Sequence, residues 1–359
     1  MKTDAILLAP ELGSVGRLAA EIEHLGGHAL LTAEIQHDPF LPLAVAMGHT
    51  RRLGLGTCVA VASPRSPMHL AQAANDLHRG SAGRFILGLG SQIKPHIENR
   101  YGAVWSKPVA RMGELVRAVR AVWRCWNEGE PLSFEGEFHR LNLMTPMFDP
   151  GPNPHGSPPI FLGAVGPAMT ELAGEVADGL FAHAFATERS VRELTIPALE
   201  RGLDRSGRKR SDVEVSVPIF LLTETADSER ERERDERSLR EQLAFYGSTP
   251  AYRRVLEVHG WGDLQAELNL LSKRGWWGEM ASLISDEVVD AFAVRGAPNE
   301  IATEVRRRYG SLVERVSILV PHRHELGHLG DVIRDLSATR PDLDLRPSGA
   351  GTGRRAELR

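Results

Sequence analysis

Apolar residues in this chain fall into short blocks, and longer stretches with helical spacing separate one block from the next. That alternation is the sequence form of repeated strand and helix units around a parallel sheet. Strands are predicted over residues 4–10, 28–35, 52–62 and 84–90, and helices over 15–25, 39–48, 67–78 and 111–126. The last of these helices carries an apolar stripe of Leu115, Val116, Val119, Val122 and Trp123. The rhythm then lapses. Residues 133–144 alternate like a hairpin turning at Gly136, and residues 147–159 form a loop with five prolines. The alternation resumes with strands at 160–164, 180–184 and 213–222, helices at 169–177 and 191–203, and an eighth strand at 315–320.

The stretch 228–310 is too long for one crossover helix. It is expected to hold the seventh helix, an added helical lid or dimerisation element, and a helix at 299–309. Its first residues, 228–240, are mostly Arg and Glu, the composition of a solvated helix face laced with opposite charges. Eight strands with interleaved helices predict an α/β fold, a (β/α)8 TIM barrel, as a single domain over residues 1–345. Insertions fall after strand four and between strands seven and eight. An open doubly wound sheet shares the buried parallel strands and stays open as an alternative. The Gly-, Arg- and Ser-containing tail, residues 346–359, is expected to be disordered.

Composition narrows the function classes. The chain has 359 residues, 25% of them charged, and a net charge of −4, which gives no reason to expect nucleic acid or an anionic membrane as partner. Cys58 and Cys125 are the only cysteines, too few for a disulfide scaffold. No secretory leader pattern opens the chain and no run approaches the ~18 apolar residues of a membrane span, so a cytoplasmic protein is expected.

In a barrel, reactive groups belong at the C-terminal ends of the strands. Four places meet that rule. Glu34, His37 and Asp38 follow strand two; an imidazole titrates near neutrality and can move a proton in a redox step, while Asp38 before Pro39 reads as a helix cap. Strand three is rich in small residues around Thr57, Cys58 and Val59, which leaves room for a planar ligand or for tight interior packing. Ser91 and Gln92 end strand four after a Gly-Leu-Gly run that no helix directly follows. Gly163, Ala164, Val165 and Gly166 end strand five before Pro167, where amides and a helix start can cradle an anion, or simply turn the chain. His322 and His324 follow strand eight, but no further ligands complete a metal shell, so no metal site is assigned.

These pieces, in this order, resemble the luciferase-like monooxygenase family of flavin and F420 enzymes. The likeness runs from Asp38-Pro-Phe through Arg51-Arg-Leu-Gly-Leu-Gly-Thr, Arg65-Ser-Pro and Ala82-Gly-Arg-Phe-Ile-Leu-Gly-Leu-Gly to Glu171-Leu-Ala-Gly-Glu-Val-Ala-Asp-Gly179. Residues 92–105 and 245–277 also look like an actinobacterial F420-dependent subgroup. The resemblance implies that strand three backs a tricyclic ring with a non-proline cis peptide at Cys58–Val59. It places Ser91 near the ring and ribityl chain, residues 163–166 around the phosphate, and His37 as the acid/base. Two departures stand out. The phosphate loop has no Ser or Lys, and Gln92 and Ile93 replace the acidic residue that F420-dependent sugar dehydrogenases carry after strand four, which argues against a sugar phosphate.

The function expected is therefore hydride transfer between coenzyme F420 and a small organic molecule. Glu34 would orient His37 or touch the ring, and Trp105, Met144 and the loop around His155 would close over the ligands. A homodimer is the expected assembly. The alternatives are an FMN-dependent monooxygenase with a flavin reductase partner, a metal-dependent barrel hydrolase, and a silent barrel that only binds ligand.

Overall fold

The structure, a computed structural model, describes residues 1–224, 229–320 and 326–338. Eight parallel strands form its centre: β1 (Lys2–Leu7), β2 (Ala29–Thr32), β3 (Gly54–Thr57), β4 (Phe85–Gly90), β5 (Ile160–Ala164), β6 (Gly179–Ala182), β7 (Glu214–Thr223) and β8 (Arg315–Val320). Each pairs with its neighbours in chain order, and β8 pairs with β1 from Lys2↔Arg315 to Leu7↔Val320. The ring is closed, so the fold is the (β/α)8 barrel and the open sheet is excluded. A two-residue strand, Ala60–Val61, continues β3 and pairs with the end of β4.

Helices wrap the outside, among them Leu12–His24, Pro67–Gly80, Pro108–Glu128, Pro167–Val176 and Pro298–Tyr309. Local chemistry sets their ends. Ser66 caps the second of these by accepting the His69 amide, with Pro67 in its first turn. The third stops where Gly129 takes φ 71°, a conformation open to glycine at little cost. The main apolar core lies between strands and helices and includes Leu30, Leu55, Leu87, Val116 and Trp123. A smaller cluster of Ile6, Leu31, Phe161 and Phe181, with Ile86 and Leu319 against it, plugs the lumen. Toward the strands' N-terminal ends, Arg315 donates twice to the buried Asp4, at 2.8 Å each, and once to Glu214 at 2.9 Å. A charge pair this deep tolerates neither partner alone. It closes that end of the barrel to ligands.

Several predicted segments change length or place. Strand two ends at Thr32 rather than residue 35, because the chain there leaves the ladder to become a loop at the barrel mouth. A short helix, Lys94–Asn99, follows strand four and was not predicted. The predicted hairpin shrinks to Phe134–Glu135 against Arg140–Leu141. Glu114 holds its turn, accepting the amides of Glu137, Phe138 and His139 at 2.6–2.8 Å. A Cβ on Gly136 would lie 2.3 Å from that carboxyl carbon, so any larger residue there would push the Glu114 carboxylate off the turn. The loop around His155 packs beside Gly83, just before β4. It lies at the N-terminal end of the barrel because it leads directly into β5, and the expectation that it closes over the mouth is corrected.

Between β7 and β8 the chain builds a helical insertion, with helices Glu229–Gly247, Arg253–Glu257, Gly262–Arg274, Trp277–Met280 and Asp286–Phe292. It has an apolar core of its own, including Leu239, Leu243, Leu268, Val289 and Phe292, seated on Phe185, Phe220 and Leu222 of the barrel. A ninth parallel strand, Ala293–Gly296, pairs with the second half of β7 and has no counterpart in the sequence prediction. No helix among the described residues is long and apolar enough to cross a membrane. His322, His324 and the tail from residue 346 lie outside the described residues.

Candidate active site

The loops after β2, β3, β4 and β5 leave the barrel side by side at one mouth, and each carries one group of the predicted site residues. Glu34 is buried, 8% exposed, in the loop after β2. Its carboxylate accepts the Val61 amide at 2.7 Å, the Arg65 guanidinium at 2.6 Å and the Tyr101 hydroxyl at 2.9 Å. Strands two, three and four are thereby tied together just above the ladder. Burial and the neighbouring Glu34 carboxylate both raise the Tyr101 hydroxyl's pKa, which keeps it a donor. None of these partners is His37, so Glu34 does not orient that imidazole directly. Arg65 and Tyr101 were missed from the sequence; Arg65 lies within the family-like Arg-Ser-Pro stretch, and Tyr101 within the subgroup-like stretch 92–105.

His37 is exposed on the same loop and has no hydrogen-bond partner among the described residues. Next to it, Asp38 accepts the Phe40 and Leu41 amides at 2.8 and 3.1 Å, but the helix Leu41–His49 has Phe40 rather than Asp38 at its N-cap position, two residues later than predicted. The loop is thus fixed on either side of a free imidazole, by Glu34 before it and Asp38 after it.

Thr57 turns out to be a wall element. Its hydroxyl is fully buried, donates to the Gly88 carbonyl at 2.7 Å and accepts the Gly88 amide at 2.9 Å. Cys58 and Val59 follow, joined by a cis peptide bond, and both pack on the lumen cluster so that they floor the mouth. Burial, with Asp4 below, pushes the Cys58 thiol up to about 12. The nearby glycines do not open space for a ligand. A Cβ on Gly88 would lie 1.8 Å from the Thr57 carbonyl oxygen, and one on Gly90 2.4 Å from a Val59 methyl. The glycines of β4 thus serve close packing against β3. Ser91 is half-buried, and Gln92 beside it takes φ 57°, a left-handed conformation that a non-glycine residue adopts rarely.

Gly163 and Ala164 still pair with Phe181 and Ala182 in the ladder, but the two residues after them are different. Val165 is exposed, and a Cβ on Gly166 would meet nothing within 4 Å. Gly166 precedes Pro167 at the start of a ten-residue helix that no side chain caps. The first-turn amides of such a helix have no intrahelical acceptor, and the helix dipole adds positive potential there. The loop opens on a cavity of about 500 Å³ that the sequence did not reveal. Its far wall is the helical insertion at Pro250, Tyr252 and Val255, and its floor includes His183 from the end of β6.

His183 was overlooked although it obeys the strand-end rule used for the other four strands. Its ring stacks on Tyr252 with centroids 4.6 Å apart and meets Tyr246 edge-on at 4.8 Å. Burial lowers its pKa to about 4, so the imidazole is neutral. Among the described residues no group of three or more His, Cys, Asp or Glu is placed to hold a metal ion.

Comparison with known proteins agrees with this architecture. The family model described as luciferase-like monooxygenase matches residues 2–315. An uncharacterized protein of Mycobacterium tuberculosis is 50% identical over 306 residues, covering 85% of this chain and 89% of that one. The 5,10-methylenetetrahydromethanopterin reductase of Archaeoglobus fulgidus is 30% identical over 261 residues, 71% of this chain and 73% of the reductase. The solved coenzyme F420 dependent tetrahydromethanopterin reductase of Methanopyrus kandleri superposes with a TM-score of 0.75 at 19% identity, over 94% of this chain and 97% of that one. A family match that spans all but the last barrel strand leaves one conclusion: the chain belongs to the luciferase-like monooxygenase family of oxidoreductases.

Proposed function

We propose that this protein is an F420-dependent oxidoreductase acting on a small organic molecule at the barrel mouth. The observation that carries the proposal is the open turn at Val165 and Gly166, before a helix that no side chain caps, facing a cavity on the same mouth as the free imidazole of His37. The residues present fit a phosphate-bearing, ring-containing cofactor. Backbone amides at 163–166 would hold the phosphate without a basic side chain. Cys58 and Val59 would support the ring from below, and Ser91 would meet the chain between ring and phosphate.

When bound, the deazaflavin accepts or supplies the hydride. His37 takes up or delivers the accompanying proton at its substrate-facing ring nitrogen, and exposure leaves it free to exchange that proton with water. Glu34 acts as a positioning residue, holding the loops after β2, β3 and β4 in register. Support for F420 over FMN comes from sequence relatives, because the Archaeoglobus fulgidus protein that covers most of this chain is a reductase.

Titration of the purified protein with F420 and, separately, with FMN tests the proposal. Tight FMN binding with no F420 affinity would overturn the choice of cofactor. Replacing His37→Asn should reduce turnover by about 10²–10⁴-fold and leave F420 affinity within twofold. Undiminished turnover would remove His37 from the mechanism.

A further inference from the structure

The cavity beside residues 163–166 has a wall whose hydrogen bonds can be assigned. The Phe185 amide donates to His183 Nδ1 at 3.0 Å. An amide nitrogen cannot accept, so Nδ1 is the unprotonated nitrogen and the proton of the neutral ring sits on Nε2. That N–H faces the Tyr252 hydroxyl oxygen at 3.1 Å. Tyr252 is therefore the acceptor in this pair, and its own O–H proton has no other partner among the described residues. The assignment runs in one direction, from the backbone of β6's exit through His183 to the helical insertion.

Tyr252 lines the cavity together with Gly166, Pro167 and Thr170. Burial, with Tyr246 nearby, raises its hydroxyl to about 12, so it remains protonated at any working pH. A free O–H on one wall and the uncapped helix start at Gly166 and Pro167 on the other call for one acceptor between them. Resting on the cofactor site proposed above, we propose that Tyr252 donates its O–H to a phosphate oxygen of the ligand held at residues 163–166. His183 is the positioning residue that sets the direction of that donor. The insertion thus adds a hydroxyl to a cavity that Thr170 and Arg201 line from the barrel's own helices.

The test is a comparison of ligands with and without phosphate. Binding of F420 and of its phosphate-free 8-hydroxy-5-deazariboflavin core would be followed by fluorescence for wild type, Tyr252→Phe and His183→Phe. Loss of one hydrogen bond to a charged group is expected to weaken F420 binding about tenfold in Tyr252→Phe, while the core binds as in wild type. Unchanged affinity for the core also shows that the variant is folded. His183→Phe keeps an aromatic ring against Tyr252 and should reproduce the phosphate-specific loss, which a purely structural role would not. Equal weakening of both ligands, or of neither, overturns the proposal. If wild type binds neither, the F420 assignment fails instead. Inorganic phosphate, titrated calorimetrically into wild type and Tyr252→Phe, then decides the present proposal, and identical affinities would reject it.

Discussion

Replacing Glu34→Ala is the sharpest probe of how the mouth is built. The change strips one buried carboxylate from three donors on two other strands' loops: the Val61 amide, Arg65 and the Tyr101 hydroxyl. Removing one member of a buried ion pair costs about 3–5 kcal/mol when the partner stays dry. The Arg65 side chain keeps 21% exposure and retains a bond to the Val61 carbonyl at 2.9 Å, so water recovers part of that loss. The buried Val61 amide recovers less, and an unpaired buried amide costs roughly 1–3 kcal/mol. Together these place the destabilisation at about 3 kcal/mol. With an unfolding entropy of ~2.1 cal/mol/K per residue over 359 residues, Tm falls by about 4 °C. Calorimetry or circular dichroism reads that shift directly. Glu34→Gln keeps an acceptor for Val61 and should lose about half as much. A Glu34→Ala protein melting within 1 °C of wild type would show that the carboxylate does not tie the loops, and that the site's geometry comes from the ladder alone.

Other outcomes follow from other contacts. Gly88→Ala forces a Cβ to 1.8 Å from a backbone oxygen inside the barrel wall and should yield insoluble or unfolded protein on expression, whereas a soluble variant with native Tm would mean the wall yields easily. His183 is neutral in the folded state and titrates near 4, below its unfolded value of about 6.5. The unfolded chain then binds more protons, so stability is full above pH 6.5 and is lost as pH falls toward 4, by up to about 3 kcal/mol. Melting curves at pH 7.5, 6 and 4.5 should show this slope flattened in His183→Phe, and an identical slope would assign the effect to other groups. The Cys58 thiol, raised to about 12, should alkylate with iodoacetamide at pH 8 at least 100-fold more slowly than a free thiol. Labelling at the free-thiol rate would show that the half-buried floor of the mouth does not suppress its thiolate.

The barrel was legible because parallel strands buried on both faces write themselves as apolar blocks, and all eight overlap their predicted windows, with β1, β6 and β7 reaching one or two residues beyond them. The C-terminal ends of β1, β2, β3 and β6 were overextended for a common reason. Residues such as Glu34 continue an apolar-looking run after the ladder has ended, and periodicity cannot see a missing hydrogen bond. The strand-end rule located His37, Cys58, Ser91 and residues 163–166 at one mouth. It also applied to His183, which was passed over because it was counted inside the strand block 180–184 although the strand ends at Ala182. Tyr252 and Tyr101 were beyond reach. Their roles depend on which residues the insertion and the loop after β4 bring across the mouth, and that contact joins positions more than 60 apart in sequence. The short strand Ala293–Gly296 was hidden likewise, since its four residues acquire their meaning only from pairing with β7.

That pairing has a consequence for how the enzyme family can vary. Phe220 lies opposite Ala293, and the Glu224 amide donates to the Gly296 carbonyl at 3.1 Å, so the chain leaves the barrel and returns to it at adjoining points of one ladder. An excursion with its two ends stitched together can lengthen, shorten or be exchanged with little effect on loop-closure entropy and none on the register of the eight-stranded ring. The insertion is in this sense a cassette. A graft from a relative, joined at the β7 extension and at the ninth strand, should leave the barrel intact while replacing the whole far wall of the cavity, Tyr252 included.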